Sequence, residues 1–447
     1  MIISSERSTT LPPGPELPSR RVAQLWIEQP IEFWEECAAR FGGTFTIELG
    51  SLGTTVMFSD PEAIRQIFQL PTESYECRPF NDYYRSVMGD NALFLTDGTD
   101  HRRMRKTLMP PLQRRTVEAH GAATCELVVK VVGSWPVGKA FSPRPALHLL
   151  SLRIVLGIIF GSAEHPLARE IAQVFSQEIY QHLGSWSAWT RFSHLHSRFR
   201  ELIGATIRQR RSVSPTDAVG SPMFDALIRA RDGAGELLQE AEIEDHLFTM
   251  FVAGVDPMAI ALSWALYWIL QDRDVLAKVR REFSGVEPER SPNRVAEYPY
   301  LAAAVQETMR MYPIPSTPSG RKLLAPVEIG GRRYEPGVTL LPCPYLVHRR
   351  ADLYVDPARF RPERFLERQY ASEEYFPFGG GARTCIGALL VPLEMKLVLS
   401  EILKRCDLLP AHEGPVRPVR HGTLLAPSDA MKFLLARAPD SPGGEAR

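Results

Sequence analysis

Phe378-Gly379-Gly380-Gly381-Ala382-Arg383-Thr384-Cys385-Ile386-Gly387 is the most specific stretch of this 447-residue chain. Three consecutive glycines let a backbone approach something flat and bulky without a Cβ clash. One cysteine follows, at the start of an apolar run that reads as a helix. A helix start offers backbone donors and the positive end of the dipole, and both favour thiolate. Zinc would need more thiol or imidazole ligands at short spacing, and the nearest upstream histidine is His348. A phosphate-cradling loop would need Gly-Lys-Ser/Thr, which is absent. A lone cysteine after a glycine turn is ordinarily a plain buried residue. This ten-residue pattern instead suits a thiolate that ligates haem iron, with Arg383 placed for a haem propionate.

Around that loop the chain is ordinary. Composition is 44% hydrophobic, 9% aromatic and 23% charged, which excludes wholesale disorder and fibrous repeats. Lys+Arg and Asp+Glu are 52 each, and this balance argues against nucleic acid as the main partner. The six cysteines (Cys37, Cys77, Cys125, Cys343, Cys385, Cys406) include no Cys-x-x-Cys pair, so no disulfide framework is expected. The N-terminus Met-Ile-Ile-Ser-Ser-Glu-Arg carries no apolar stretch of signal or anchor length, so a soluble, cytoplasmic protein without a membrane anchor is expected.

Leu11-Pro12-Pro13-Gly14-Pro15 and Pro18 make residues 1–20 an extended surface segment. Ile31–Arg40 reads as a helix, and Thr44–Leu49 with Thr54–Phe58 as a hairpin. Residues 100–310 are mostly helical in pattern, interrupted by a loop over 212–221. The longest run, Glu240–Leu270, is nearly all apolar after His246, which predicts a helix buried through the centre. Gly254, Asp256 and Pro257 make it a poor membrane span. Beyond Pro313 the chain turns to short strands, Val327–Ile329 and Thr339–Leu341, before a last long helix after Cys385. Length alone suggests about two to three domains, but no linker separates two cores. The expected fold is mainly α with small β-sheets, one large domain over 21–437 and a disordered tail over 438–447.

At the cysteine loop the chain resembles the cytochrome P450 family of haem-thiolate enzymes. The family signature Phe-x-x-Gly-x-Arg/His-x-Cys-x-Gly is matched by Phe378, Gly381, Arg383, Cys385 and Gly387. The resemblance runs from the proline segment to the final helix. It implies the P450 fold as a single haem domain, haem b as cofactor and Cys385 as its metal ligand. It implies that Glu307, Arg310 and Arg364 form a buried triad bracing the loop, with a structural role. It implies that His101, Arg105 and Arg321 hold haem propionates. His101 and Arg105, at i and i+4, share one helix face; on its own that segment reads as a basic solvated helix. Arg102, Arg103, Lys106, Arg114 and Arg115 either dock an acidic electron donor or are ordinary solvated charge. No reductase or ferredoxin segment is present, so electrons from NAD(P)H are expected through a separate ferredoxin or flavodoxin with its reductase.

One departure matters. Ala253-Gly254-Val255-Asp256-Pro257 matches the family pattern Ala/Gly-Gly-x-Asp/Glu-Thr except at Pro257. The family's threonine hydroxyl assists proton delivery during oxygen activation. Pro257 has no N–H for the Ala253 carbonyl, so a kink and a water-binding carbonyl are expected, with Gly254 leaving room above the haem. Positions 253 and 261, one turn away on either side, are both alanine. Proton delivery then falls to water, Asp256 or a substrate hydroxyl, unless Pro257 merely kinks the helix.

The distal pocket is expected between Tyr75–Leu95, Val252–Pro257 and Ile314–Pro318. Arg78, Tyr83, Tyr84 and Arg85 hold a polar substrate group or face water. Trp186–Phe199, with Trp189, Phe192, His194 and His196, forms a lid or is plain packing. The resemblance implies a monooxygenase acting on an apolar small molecule in secondary-metabolite or lipid tailoring. One alternative is a peroxide-dependent enzyme or an isomerase/dehydratase, motivated by Pro257. Another is a non-enzymatic haem sensor, for which no output module is seen. An electron-transfer haem would need a second axial ligand, and Ala253–Ala259 offers only Met258.

Overall fold

The computed structural model describes residues 11–179, 188–212, 222–283 and 297–437. The readings of the first ten residues, of 213–221 and of the tail 438–447 lie outside the described residues. Residues 11–18 are extended, and Thr46 ties them to the first strand. Its N–H donates to the Pro13 carbonyl at 3.0 Å and its hydroxyl to the Pro12 carbonyl at 2.7 Å.

The helices that build the site are α1 (Pro61–Phe68), α2 (Gly98–Leu108), α3 (Arg114–Gly133), α4 (Arg144–Phe160), α5 (Ala188–Ser212), α6 (Glu240–Gln271), α7 (Pro299–Met311) and α8 (Leu390–Arg405). The central one is α6. Being apolar on all sides it has no face to turn to water, and Leu262, Trp264, Ala265 and Leu266 are wholly buried. Its most extensive packing is against α4. By length and composition α6 could cross a membrane, but 67% of that stretch is buried within the fold. It runs unbroken through Pro257. A proline removes one backbone bond and crowds one turn, whereas packing on α4 holds the turns to either side.

A five-stranded sheet lies beside the helices. It contains β1 (Thr44–Glu48), β2 (Thr54–Phe58), β3 (Tyr75–Glu76), β4 (Arg321–Leu323) and β5 (Thr339–Pro342), in the order β1-β2-β5-β4-β3. β1 and β2 are the expected hairpin, with Thr44 opposite Phe58, and β2 pairs parallel with β5, Thr55 opposite Thr339. Val327–Ile329 pairs with Arg332–Tyr334 outside this sheet. A second hairpin, β6 (Pro418–His421) and β7 (Leu424–Pro427), returns to the centre. There the Trp264 indole of α6 donates to the Leu425 carbonyl at 2.9 Å, and the Leu425 N–H to the Ile314 carbonyl at 3.0 Å. All six cysteines are free.

Glu394 on α8 is buried, and neither carboxyl oxygen has a hydrogen-bond partner among the described residues. Burial pushes its pKa up from 4.5 to about 7. Between those values the folded protein holds a proton that the unfolded chain has released. Stability from this group is therefore complete below about pH 4.5, falls as pH rises, and levels off above pH 7. The shift corresponds to a loss of about 3 kcal/mol. In denaturant titrations at pH 5 and pH 8, Glu394→Gln should remove that loss; an unchanged pH dependence would show that the carboxyl is not the source.

Candidate functional site

The site is built upward from a buried carboxylate. Glu307 and Arg310, one turn apart on α7, and Arg364 are all essentially without exposure. Arg310 binds Glu307 through two donors, Nε at 2.6 Å and Nη2 at 2.9 Å, and Arg364 Nε binds the same carboxylate at 3.0 Å. Arg310 also donates to the His348 carbonyl at 2.6 Å. The His348 ring accepts the Phe376 N–H through Nε2 at 3.1 Å, so that nitrogen carries no proton. Burial, then the charges of Arg310 and Arg349, hold His348 well below the ordinary histidine range. From Phe376 the bonds reach the loop: the Gly379 N–H donates to the Phe376 carbonyl at 3.0 Å, and the Cys385 N–H to the Phe378 carbonyl at 2.9 Å.

The glycine run has a different neighbour from the one the sequence suggests. A Cβ on Gly380 would stand 2.2 Å from the Phe68 ring, at the end of α1. One on Gly381, which has φ +66°, would stand 2.2 Å from the Phe68 carbonyl oxygen. The flat group admitted by Gly380 is a phenylalanine of the chain itself. Phe68 in turn stands edge-on to Phe376 at 5.4 Å.

Cys385 is exposed, although burial is the largest influence on its thiol and raises its pKa. Its free surface therefore belongs to an interior space. The following helix begins at Leu390, not at Cys385. Direct help for a thiolate comes instead from the Gly387 N–H, 3.3 Å from Sγ, and from the Arg105 charge.

Several cations stand around the loop, and among the described residues Arg383 alone of the three arginines Arg105, Arg321 and Arg383 has an ion-pair partner. Arg321 is 1% exposed, and its Nε and Nη1 have no partner among the described residues. Its Nη2 donates to the Gly380 carbonyl at 2.8 Å, and its guanidinium lies over Phe68 and Tyr75. Arg105 is half-buried; burial lowers its pKa, the Cys385 thiol works against that, and the Arg383 charge adds to it. Arg383 is committed to Asp97 and to the Thr96 carbonyl, with Nε left over. Buried His101 falls to about 3, first through burial and then through Arg383 and Arg105. It stays neutral and supplies at most one N–H. Two orphaned donors on a buried guanidinium, a second uncompensated arginine and a thiol facing the same region fit a dianionic, iron-bearing plate such as haem.

On α6, Val252, Ala253, Gly254, Asp256 and Pro257 are only half-buried, so the helix borders a space there. Gly254 has a second reason to be glycine, since a Cβ would meet the Val155 side chain of α4 at 2.9 Å. Asp256 is held from two sides: His148 Nε2 of α4 lies 2.7 Å from Oδ1, and His421 Nε2 of β6 lies 3.7 Å from Oδ2. Burial alone would raise its pKa, but those two rings hold the carboxyl well below the usual range.

The turn between β6 and β7 is a wall that sequence reasoning missed. Thr423 shares a 2.8 Å hydrogen bond with the Tyr84 hydroxyl, and Pro315 bridges Leu424. Of the polar quartet, Arg85 pairs with Asp82 and Asp90, and Arg78 offers its backbone N–H to Asp97. In the suggested lid, the side chains of Trp186, Trp189, Phe192 and His194 lie outside the described residues. His196 stands 3.3 Å from Asp245, and Phe199 packs against Phe248 and Phe251. The basic patch is largely spent, because Arg102 pairs with Glu73, Arg103 with Glu242 and Arg114 with Glu118. Lys106 and Arg115 remain exposed.

The family model described as cytochrome P450 matches residues 12–435. A Mycobacterium tuberculosis protein provisionally named cytochrome P450 135B1 is 30% identical over 98% of this chain and 94% of its own length. A second from that organism, provisionally named cytochrome P450 135A1, is 27% identical over 92% of each chain. Among solved structures, retinoic acid-bound cyanobacterial CYP120A1 superposes with TM-score 0.82 at 22% identity, covering 96% of this chain and 99% of that one. A cytochrome P450DA heme domain gives 0.77 at 20% identity, covering 95% and 97%.

Because Phe68 occupies the place where a Cβ would go, Gly380→Ala should lower stability by about 1–3 kcal/mol through overpacking. Phe68→Leu in the same chain should recover most of that loss in a double-mutant cycle of thermal unfolding. Strictly additive losses would show that the clash is not the cause.

Proposed function

The chain belongs to the cytochrome P450 family, a family of haem-thiolate monooxygenases, and from that premise we propose a more particular activity. The enzyme inserts one oxygen atom from O2 into an apolar organic substrate, by hydroxylation or epoxidation, in secondary-metabolite or lipid tailoring. It works in the cytoplasm, and NAD(P)H electrons reach it through a separate ferredoxin or flavodoxin and its reductase. The observation that carries the reading is the exposed Cys385 thiol on a loop whose Gly380 carbonyl binds buried Arg321, a guanidinium with two donors unpartnered among the described residues.

Bound in that space, haem b supplies oxygen activation and oxygen-atom transfer, chemistry that belongs to the cofactor. The residues of the chain hold and orient it. Cys385 is the metal ligand, and the Gly387 N–H on Sγ tempers the charge that the sulfur donates. Arg105 and Arg321, with the N–H of neutral His101, receive the two propionates. Arg383 acts through Asp97 and keeps one donor free. Phe378, Gly381 and Gly387 shape the loop. Ala253 and Gly254 form the wall across the groove, and Asp256 and Pro257 decide how protons reach it. Exposed Lys106 and Arg115 support docking of an acidic donor.

Pro257, flanked one turn away by Ala253 and Ala261, supports a second reading in which the same site uses peroxide or isomerises or dehydrates an oxygenated substrate. Oxygen uptake and peroxide release, measured with a surrogate ferredoxin, its reductase and NADPH, separate the two. A monooxygenase shows substrate-dependent uptake that ends in product, whereas the second reading predicts peroxide alone or no uptake. Restoring a hydroxyl with Pro257→Thr should raise the ratio of product to peroxide with the same substrate. Equal leakage from both proteins would remove position 257 from the account.

A further inference from the structure

Arg420, the third residue of β6, is a half-buried guanidinium with which no carboxylate pairs among the described residues. Two backbone carbonyls hold its fork in place. Its Nε donates to Gly422 at 2.6 Å and its Nη1 to Trp26 at 2.7 Å. Its Nη2 makes no hydrogen bond among the described residues and is left over. Burial lowers the Arg420 pKa, and the groups that work against this are the phenols of Tyr83 and Tyr84, not acids. Arg85, on the same segment as those tyrosines, is by contrast spent on Asp82 and Asp90.

The phenols and the guanidinium make one cluster rich in donors. The two tyrosine rings stand 4.1 Å apart, and the Tyr84 hydroxyl shares a 2.8 Å hydrogen bond with Thr423. Tyr83 is exposed, yet burial is the largest influence on its phenol, so its hydroxyl lies in the sheltered part of the side chain. Burial raises the pKa of both phenols, so both keep their protons at neutral pH. Three hydroxyls can then turn their protons toward an arriving acceptor. Arg420 is the one cation that acts on either phenol among the described residues. The same hairpin reaches α6, because His421, the next residue, stands 3.7 Å from Asp256, at the stretch where α6 borders a space. Apolar surface adjoins the donors, with Phe94 5.3 Å from Tyr84 and Leu424 bridged to Pro315.

We propose that Arg420, Tyr83, Tyr84 and Thr423 bind the carboxylate of an apolar carboxylic acid, whose hydrocarbon part extends from there toward Val252–Pro257 of α6. This names a substrate class for the proposed monooxygenase and rests on the premise that the site takes an apolar molecule. A planar fork matches a carboxylate in shape, and a bond to an ionised acceptor is about twice as strong as one between neutral groups. One guanidinium without a second cation suits a single negative charge, not a phosphate dianion. A neutral ester or alcohol would leave the half-buried charge without a counter-ion.

The plainer role of Arg420 is to pin the hairpin to the helix Ser19–Glu28 through the Trp26 carbonyl. A purely structural arginine would alter stability but not the choice between an acid and its alcohol. The test is therefore a ratio of affinities. Holoprotein is titrated, by calorimetry and by the shift of the haem spectrum, with dodecanoic, abietic and 4-phenylbutanoic acids and with the alcohol of each. At least one acid should bind about tenfold tighter than its alcohol, and added salt should narrow the gap. Arg420→Gln should bring that acid and its alcohol to within about twofold, whereas Arg420→Lys should keep part of the preference.

If no acid outbinds its alcohol in wild type, or if the preference survives Arg420→Gln, the proposal is overturned. Should that variant not fold, Tyr83→Phe with Tyr84→Phe keeps both rings and removes two donors. The preference should then fall severalfold, and an unchanged ratio overturns the proposal equally. Failure of the monooxygenase reading looks different: the acids still bind selectively, yet NADPH and the surrogate donor yield no oxygenated product.

Discussion

The site depends on one buried carboxylate. Glu307 lies among three partners at once: two guanidiniums, and the Arg361 backbone N–H at 2.8 Å. An ion triad out of water is seldom a net source of stability, yet removing one member of a buried pair costs about 3–5 kcal/mol because the remaining charge has nowhere to go. The arrangement is a constraint more than a reservoir of energy. Arg310, fixed by Glu307, binds the His348 carbonyl, and the neutral His348 ring receives the Phe376 N–H. The position of the Cys385 loop is thus set by a rigid hydrogen-bonded path that starts on α7. The positive charge of Arg310 also helps keep His348 unprotonated, which the path requires.

A second constraint comes from what the fold leaves unpaired. Among the described residues Arg321 is buried with two donors unpartnered, and the Cys385 thiol is the group that offsets the burial of Arg105. A guanidinium is costly to bury alone. The two carboxylates of a haem bound as proposed would offset that burial of positive charge. Binding of the family's haem should accordingly act as part of the folding free energy. The Asp97–Arg383 pair has a different part. Asp97 also accepts the backbone N–H groups of Cys77 and Arg78, so it joins the β3 end of the sheet to the cysteine loop.

Much of this was legible in the residues. The run Glu240–Leu270 reads as a central helix because it is nearly all apolar after His246, and it is found as Glu240–Gln271. The ten-residue cysteine loop stands out by its composition, whereas the one-turn spacing of Glu307 and Arg310 is ordinary by itself and gained meaning only through the family resemblance. What was not legible involves long separations in sequence. Nothing at position 68 announces a ring that fills the space above Gly380, more than 300 residues later. Nothing in His148 or His421 points to Asp256, because helix packing and a hairpin returning from the far end bring them together. The glycine run was read as room for a ligand because a missing Cβ records only that something is close, not what it is. The basic residues of α2 and α3 looked like a patch because Glu73 and Glu242, the partners of Arg102 and Arg103, lie elsewhere in the chain; Glu118 stands one turn from Arg114 on the same helix face.

The central proposal is that this chain directs one atom of dioxygen into an apolar substrate. The direct measurement is turnover of a bound apolar substrate under 18O2, with NADPH, reductase and a surrogate ferredoxin, followed by mass spectrometry of product and water. The account predicts one 18O in each product molecule and none derived from solvent. Product whose added oxygen comes from water, or product formed without oxygen consumption, would contradict it.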